Sequence, residues 1–387
     1  MRRIVVDATP ITPQPSGVGL YVANLIDCLW QLQRSQNFEL GIVYQPSFKN
    51  WLRRNLAFPE SLQKYSESYL LPFPVRVTNF LLQNLPQAFP LLLEKYTNYP
   101  DIIHGTNFSV FPYQKSLKVI TLYDLTFLRY PEYVDQVVAT YAPRVQQCLQ
   151  WTDLVITISE STKEDAINYL QISPEKIHVT PLASRYSPDY LSLEQQEQLK
   201  QSCSYDFSRP YLLFVSTIEP RKNINALITA FNYLKGKHKI DHDLVLIGKK
   251  GWRYEPIFQA IAESPYQQNI HHLDYLSDDL VALFYTLAEV FVYPSHYEGF
   301  GLPVLEAMNL GTPVIASSSS SLPEVIGDAG LLINPDEPME LAEAILQVIS
   351  NSQLQQDLIV KGRQRATNFS WEKTAQETLI AYSKIIP

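Results

Sequence analysis

Short runs rich in Val, Ile and Leu recur along this chain between stretches with helical spacing: RIVVDAT, LGIVYQ, DIIHGT, KVITLYD, DLVITIS and KIHVTPL, then YLLFVST, DLVLIG, EVFVYPS, TPVIAS and GLLINP. Runs this short and this continuously apolar suit strands buried on both faces, as in parallel sheets covered by crossover helices. The pattern predicts an α/β protein. It is interrupted at the polar stretch SLEQQEQLKQSCSYDFSRP (192–210), and a fresh strand begins at Tyr211. A chain of 387 residues is too long for one ordinary core. The interruption is therefore read as a boundary between one domain over 1–195 and another over 208–370, with a terminal helix over 371–387 capped by Ser370. Two such domains predict a cleft between them.

Charge and cysteine usage remove several function classes. With a net charge of -8 and scattered Lys and Arg, the chain offers no basic face for phosphates, so no nucleic-acid partner is expected. Cys28, Cys148 and Cys203 lie far apart without a C-x-x-C spacing, which predicts neither a disulfide framework nor a zinc site. His271 and His272 belong to no H-E-x-x-H or acidic cluster, and no metal is expected. The apolar run in MRRIVVDATP stops at Asp7 after about three residues, too short for a signal peptide. No run approaches the ~20 apolar residues of a membrane span, and the expectation is a cytoplasmic protein.

Some serines read as helix caps: Ser161 with Glu164, Ser321 with Glu324, and Ser173 before Pro174. They call for no functional role. From Pro46 to Pro100 the alternation fails, and NWLRRNL and VTNFLLQNL predict helices and loops with apolar faces used for packing. The alternative for this region is a peripheral contact with the inner membrane face or an acceptor, because Trp51 beside Arg53 and Arg54 suits an anionic interface.

Four places can carry chemistry. HYEGFGLPVLEA (296–307) follows a strand, turns at Gly299 and Gly301, and has Pro303 at a helix start. Backbone N–H groups across Gly299, Phe300, Gly301 and Leu302, with the positive end of the helix dipole, form an anion site flanked by Glu298 and Glu306. In STIEPRKN (216–223), Arg221 and Lys222 stand at a helix start, where the dipole favours acids by roughly 0.3–1 kcal/mol. A diphosphate would reverse that penalty; the alternative is exposed cations with a local partner in Glu219. PSGVGLYVANLI (15–26) is a weak dinucleotide fingerprint, with Val22 at the third glycine position and Glu39 ahead of its strand instead of at its end. Asp124 in ITLYDLTF ends a strand, where it either faces a ligand or caps the next turn, and His104 in DIIHGTN reads as structural.

EPRKN (219–223) followed by EGFGLPVLEA (298–307) resembles the family 4 (group 1) glycosyltransferases, retaining enzymes with the two-domain GT-B fold. GVGLYVANL, DIIHGTN, LYDLTFLRYPE, VITISESTKED, LVLIGKKGW and SLPEVIGDAGLLINP extend the resemblance over nearly the whole chain. It implies two Rossmann-like domains facing across a cleft, with the last helix returning to the first. It also implies that Arg221 and Lys222 hold the donor diphosphate, that Glu306 binds ribose hydroxyls, and that Glu298 with Gly299 to Leu302 binds donor sugar and phosphate. Gly17 and Gly19 would approach the phosphates from the first domain. Many relatives carry His-Asp where this chain has Tyr123-Asp124, so Tyr123 is the departure from the family pattern.

The resemblance implies a metal-independent transfer of a hexose from a nucleotide diphosphate sugar to a hydroxyl of a glycan or lipid-linked acceptor, with no bound cofactor. DLTFLRYPE and LVLIGKKGW lean toward the branch using GDP-mannose. The alternatives are a nucleotide-sugar-binding protein with lost catalysis, motivated by Tyr123, and a GT-B epimerase or phosphorylase.

Overall fold

The computed structural model describes residues 2–12, 17–54, 56–85, 88–134, 138 and 140–386. The chain forms two compact units. The first comprises Met1–Arg129, Gln136–Leu182 and Trp371–Pro387, and the second Tyr130–Asp135 and Ala183–Ser370.

The first unit holds a sheet of seven strands: β1 (Arg2–Asp7), β2 (Phe38–Tyr44), β3 (Ser68–Leu70), β4 (Ile102–Gly105), β5 (Leu117–Leu122), β6 (Leu154–Thr157) and β7 (Ile177–Val179). Their order is β3-β2-β1-β4-β5-β6-β7, and every pairing is parallel. The central strands are buried along most of their length, Ile4, Val5 and Val6 in β1 among them, as sheets covered on both faces require. The helix Gly17–Leu32 packs beside the helix Trp371–Ile385. His104 on β4 is enclosed between the Tyr382 hydroxyl (2.6 Å) and Thr121 Oγ1 (2.7 Å), and burial lowers its pKa to about 3. It is a neutral core histidine, as expected.

The second unit holds six parallel strands, β8 (Tyr211–Val215), β9 (Asp243–Ile247), β10 (Ile270–Leu273), β11 (Val290–Tyr293), β12 (Val314–Ser317) and β13 (Leu331–Ile333), ordered β10-β9-β8-β11-β12-β13. Each unit is a doubly wound, Rossmann-like sheet. No described helix is long and apolar enough to cross a membrane.

Three expectations need correction. The region from Pro46 to Pro100 contains β3, an edge strand of three half-buried residues, besides helices and loops. Its apolar faces are not all packed: Leu52 is 63% exposed, and Phe48, Phe80, Leu91 and Leu92 are also open to solvent. Trp51, by contrast, donates its indole N–H to the Pro72 carbonyl (2.8 Å) and stacks on Phe48. Finally, the cap before the helix Glu160–Leu170 is Ser159, extended at the end of β6 and accepting from Thr162 N–H, so Ser161 with Glu164 is not the capping box. Ser321 does stand at a helix start, but its hydroxyl caps nothing and donates elsewhere.

Candidate functional site

β11 ends at Tyr293, and the chain then turns through residues 294–301 into the helix Leu302–Leu310. Gly301 makes this turn possible. It sits at φ +110°, where a residue with a Cβ is strained, and a Cβ there would lie 2.7 Å from Leu322 Cδ2, so that side chain would also have to shift. The turn is braced from the following segment: Ser321 Oγ is within 2.9 Å of the Glu298 carbonyl and 2.8 Å of that of Phe300, and the Glu298 N–H donates to Ser320 Oγ at 2.8 Å. Gly299 also has a partner within the protein. The Ser320 and Ser321 bonds engage the carbonyls of Glu298 and Phe300 and the N–H of Glu298, outside the N–H groups of residues 299–302 from which the sequence predicts an anion site.

The PRK turn, Pro220–Lys222, comes after β8 and before the helix Ile224–Tyr233. Asn223 fixes it, at φ +55° with its amide donating to the Pro294 (3.2 Å) and Pro335 (2.7 Å) carbonyls. Arg221 and Lys222 thereby meet Glu298. Lys222 Nζ lies 2.6 Å from Glu298 Oε1 and 3.0 Å from the Tyr293 hydroxyl, while Arg221 NH1 lies 3.1 Å from Glu298 Oε2 and donates to the Tyr297 carbonyl at 2.6 Å. Glu219 pairs with the other side of the guanidinium at 2.8 Å. Lys222 is 4% exposed and Glu298 8%, so the reading of exposed cations does not survive. The partner assigned to Arg221 in that reading, Glu219, is nevertheless present.

Burial alone would raise the pKa of Glu298. The charges of Lys222 and then Arg221 outweigh it and bring the carboxyl down to about 2. For Lys222, burial and Arg221 both disfavour the charged form, but Glu298 and its neighbours prevail and hold the pKa above that of a free lysine. Both groups are therefore ionised at neutral pH. Glu298, Glu219, Lys222 and Arg221 form a preorganised cluster beside a helix N-terminus, in which burial raises the Glu219 pKa, and the arrangement can stabilise negative charge developing on a ligand.

Glu306 lies on the same helix, 2% exposed, and its partner was not legible in the sequence. Arg185 reaches it from 121 residues away, with Nε to Oε1 at 2.8 Å and NH2 to Oε2 at 3.3 Å, and its NH1 donates to Asp278 Oδ1 at 2.7 Å. The guanidinium also lies 4.9 Å from the centre of the Tyr186 ring. Burial raises the Glu306 pKa, and Arg185 opposes the rise without cancelling it. Arg185→Ala should therefore destabilise the second unit by up to about 3 kcal/mol at pH 7, reduced from the fully buried case because this guanidinium is partly solvated. A carboxyl with a raised folded pKa is least costly when protonated, so the deficit should shrink as pH falls toward 5. Chemical denaturation at both pH values tests this; a deficit that does not vary with pH would show that Glu306 is not the affected group.

The remaining candidates lie in the first unit. Gly17 and Gly19 occupy the first turn of the helix Gly17–Leu32, and residues 13–16 of their loop lie outside the described residues. Asp124 Oδ1 accepts from Thr126 N–H at 3.1 Å, the geometry of a turn-capping aspartate. Tyr123 is buried edge-on against Tyr21 and Phe108, and its hydroxyl donates to the Thr106 carbonyl. Glu39 lies 3.8 Å from Arg3. Among the described residues, no three His, Cys, Asp or Glu side chains gather as metal ligands.

Known proteins match both units. The family described as "Glycosyl transferases group 1" matches residues 195–365, and "Glycosyltransferase Family 4" matches residues 15–183. The chain is 30% identical to the O-antigen chain mannosyltransferase B of Escherichia coli over 98% of its own length and 99% of that protein. Among solved structures, sucrose-phosphate synthase from Thermosynechococcus elongatus superposes with a TM-score of 0.72 at 21% identity, covering 99% of this chain and 98% of the other. Anabaena HepE, solved with UDP and glucose, gives 0.72 at 17% identity, covering 99% of this chain and 100% of the other. A relative matched end to end and family matches over both halves lead to one assignment: the chain belongs to the family 4, group 1 glycosyltransferases and has their GT-B fold.

Proposed function

We propose that this glycosyltransferase is a retaining, metal-independent mannosyltransferase acting in the cytoplasm, moving mannose from GDP-mannose to a hydroxyl of a glycan or lipid-linked glycan. The observation that carries the reading is the buried ionic cluster in which Glu298 holds Lys222 and Arg221 beside the start of the helix Leu302–Leu310. As the bond from the sugar C1 to the diphosphate oxygen breaks, charge accumulates on that oxygen, and the two cations and the helix start are suited to meet it. The acceptor oxygen bonds to C1 on the face being vacated, and its proton passes to the departing phosphate oxygen. No side-chain base is required. Glu306 would take the ribose hydroxyls and Glu298 the sugar hydroxyls, and a phosphate-binding role is proposed for Gly17 and Gly19. The name of the full-length relative, an O-antigen chain mannosyltransferase, supports mannose as the sugar.

A thermal-shift comparison of GDP-, UDP- and ADP-sugars tests the donor, since a ligand bound only by the folded state raises stability with the logarithm of its concentration over Kd. GDP-mannose should give the largest shift, its glycoside product should keep the α configuration by NMR, and EDTA should leave turnover unchanged. A β-linked product, a larger shift with another nucleotide, or loss of turnover in EDTA would each overturn the corresponding part. A second reading, nucleotide-sugar binding without transfer, draws on Tyr123, whose hydroxyl is committed to Thr106 inside the first unit. Calorimetric donor binding with no glycoside formed over a broad acceptor panel would favour it.

A further inference from the structure

Glu306, given the ribose hydroxyls in the reading above, is already occupied within the second unit. Arg185 Nε reaches one carboxylate oxygen at 2.8 Å and NH2 the other at 3.3 Å, while the Tyr285 hydroxyl approaches the second oxygen at 3.4 Å. A carboxylate offers about four acceptor positions. Arg185 holds one on each oxygen, the pair that the two neighbouring hydroxyls of a ribose would need. With Arg185 in place the Glu306 side chain is only 3% exposed, so no hydroxyl can approach it from solvent. A ribose and this guanidinium therefore compete for the same two oxygens.

Arg185 has a second place to rest. Its NH1 bonds Asp278 Oδ1 at 2.7 Å, and Asp278 is the first residue of the helix Asp278–Leu287, where the dipole favours an acid. The Asp278 side chain is 54% exposed, and the guanidinium itself, 28% exposed, lies over the Tyr186 ring. The backbone beside Arg185 is pinned. The Tyr186 carbonyl accepts from Asn309 Nδ2, on the helix that carries Glu306, and the Tyr186 hydroxyl donates to the Asp278 carbonyl at 3.1 Å. The part able to move is thus the arginine side chain, which can leave a buried acid while keeping an exposed one and an aromatic face. An arginine paired with an exposed acid is close to a solvated one, so this swing costs less than unpairing a guanidinium in a closed core. The ligand's side of the exchange is less favourable. Hydroxyls bring dipoles and no positive charge, and burial penalises the Glu306 anion once the guanidinium has left it. A ribose therefore gains less from Glu306 here than from an acid with no internal partner.

We propose that Arg185 is an internal competitor for the ribose of the nucleotide: it holds Glu306 in the free protein, gives it up to two ribose hydroxyls on binding, and so lowers both nucleotide affinity and the preference for ribose over deoxyribose; that Glu306 meets a ribose rests on the donor reading above. Calorimetric titration of the full chain with GDP and with 2′-deoxy-GDP tests this, at pH 8, because burial raises the Glu306 pKa and the carboxylate form is the one in question. Arg185→Met, which cannot donate to Glu306, should bind GDP about tenfold more tightly than the wild type, the scale of one charge-assisted hydrogen bond regained. Its gain for 2′-deoxy-GDP should stay below about threefold. In a Glu306→Gln background the effect of Arg185→Met should vanish. Asp278→Asn removes the exposed resting place and should weaken GDP binding about threefold, whereas mere loss of a negative charge near an anionic ligand would strengthen it. GDP affinity that is unchanged or lower in folded Arg185→Met overturns the competition, and a loss confined to GDP would make Arg185 the group that orients Glu306 for the ribose. If Arg185→Met does not fold, the exposed Asp278→Asn decides alone, and GDP binding equal to or tighter than wild type overturns the proposal. Should the wild type and every variant bind none of GDP, UDP and ADP, the donor reading itself fails and the competition with it; GDP binding at one affinity throughout leaves that reading standing and removes only the competition.

Discussion

A Lys222→Ala protein is expected to transfer sugar about a thousandfold more slowly than the wild type, with most of the loss in kcat. Lys222 is buried against Glu298 and Tyr293, and its charge is therefore little screened by water. On the transfer proposed above, such a charge would contribute most where negative charge grows during the reaction, on the departing diphosphate, and less to a donor bound intact. The fold should survive, because Glu298 keeps its pair with Arg221 at 3.1 Å and is not left as a lone buried anion. Steady-state kinetics with calorimetry of GDP checks both halves of the claim. A kcat within about tenfold of wild type would remove Lys222 from the chemistry, because a lost transition-state donor of this kind costs more than that.

The second large effect concerns stability. Glu298→Gln places a neutral amide between two cations and should cost the second unit about 3 kcal/mol at pH 7. The sign follows from the direction of the shift. The Glu298 carboxyl titrates near 2 in the folded protein, against 4.5 for an ordinary glutamate, so its stabilisation is full above pH 4.5 and is lost as pH falls through 2. Wild type should converge on the variant across that window. Hydrogen exchange of the β11 amides at pH 7 and pH 3 reads the difference; a gap that stays constant between the two would mean that the ion pairs contribute nothing net.

Much of this molecule could be read from its sequence, for reasons visible in particular elements. Strands such as Tyr211–Val215 and Asp243–Ile247 are buried at every residue, and a strand buried on both faces leaves an unbroken apolar run. The strands that escaped notice lie at sheet edges. β3 spans three half-buried residues, and β10 carries His271 and His272, so neither needs an apolar run. The meeting of Arg221, Lys222 and Glu298 was foreshadowed by two local anomalies, cations at a helix start and an acid at the end of a buried strand. Arg185 offered no such signal: it lies in ASRYSPD, whose composition is that of any polar loop, and only the fold carries it to Glu306. Ser321 was misread for a related reason. It has the sequence of a cap, yet the carbonyls that engage its hydroxyl lie more than twenty residues earlier.

The helix Trp371–Ile385 belongs to the first unit, although the whole second unit precedes it in the chain. Its buried face includes Ala375, Thr378 and Tyr382, and Tyr382 closes one side of His104. During synthesis the amino-terminal sheet is therefore complete long before the helix that covers it exists. Domains usually fold in order as they leave the ribosome, but here the second unit can finish first while the older one still exposes apolar surface. A stop codon near residue 370 would therefore remove from the first unit the helix that supplies the Tyr382 partner of His104, while leaving the second unit's sequence intact.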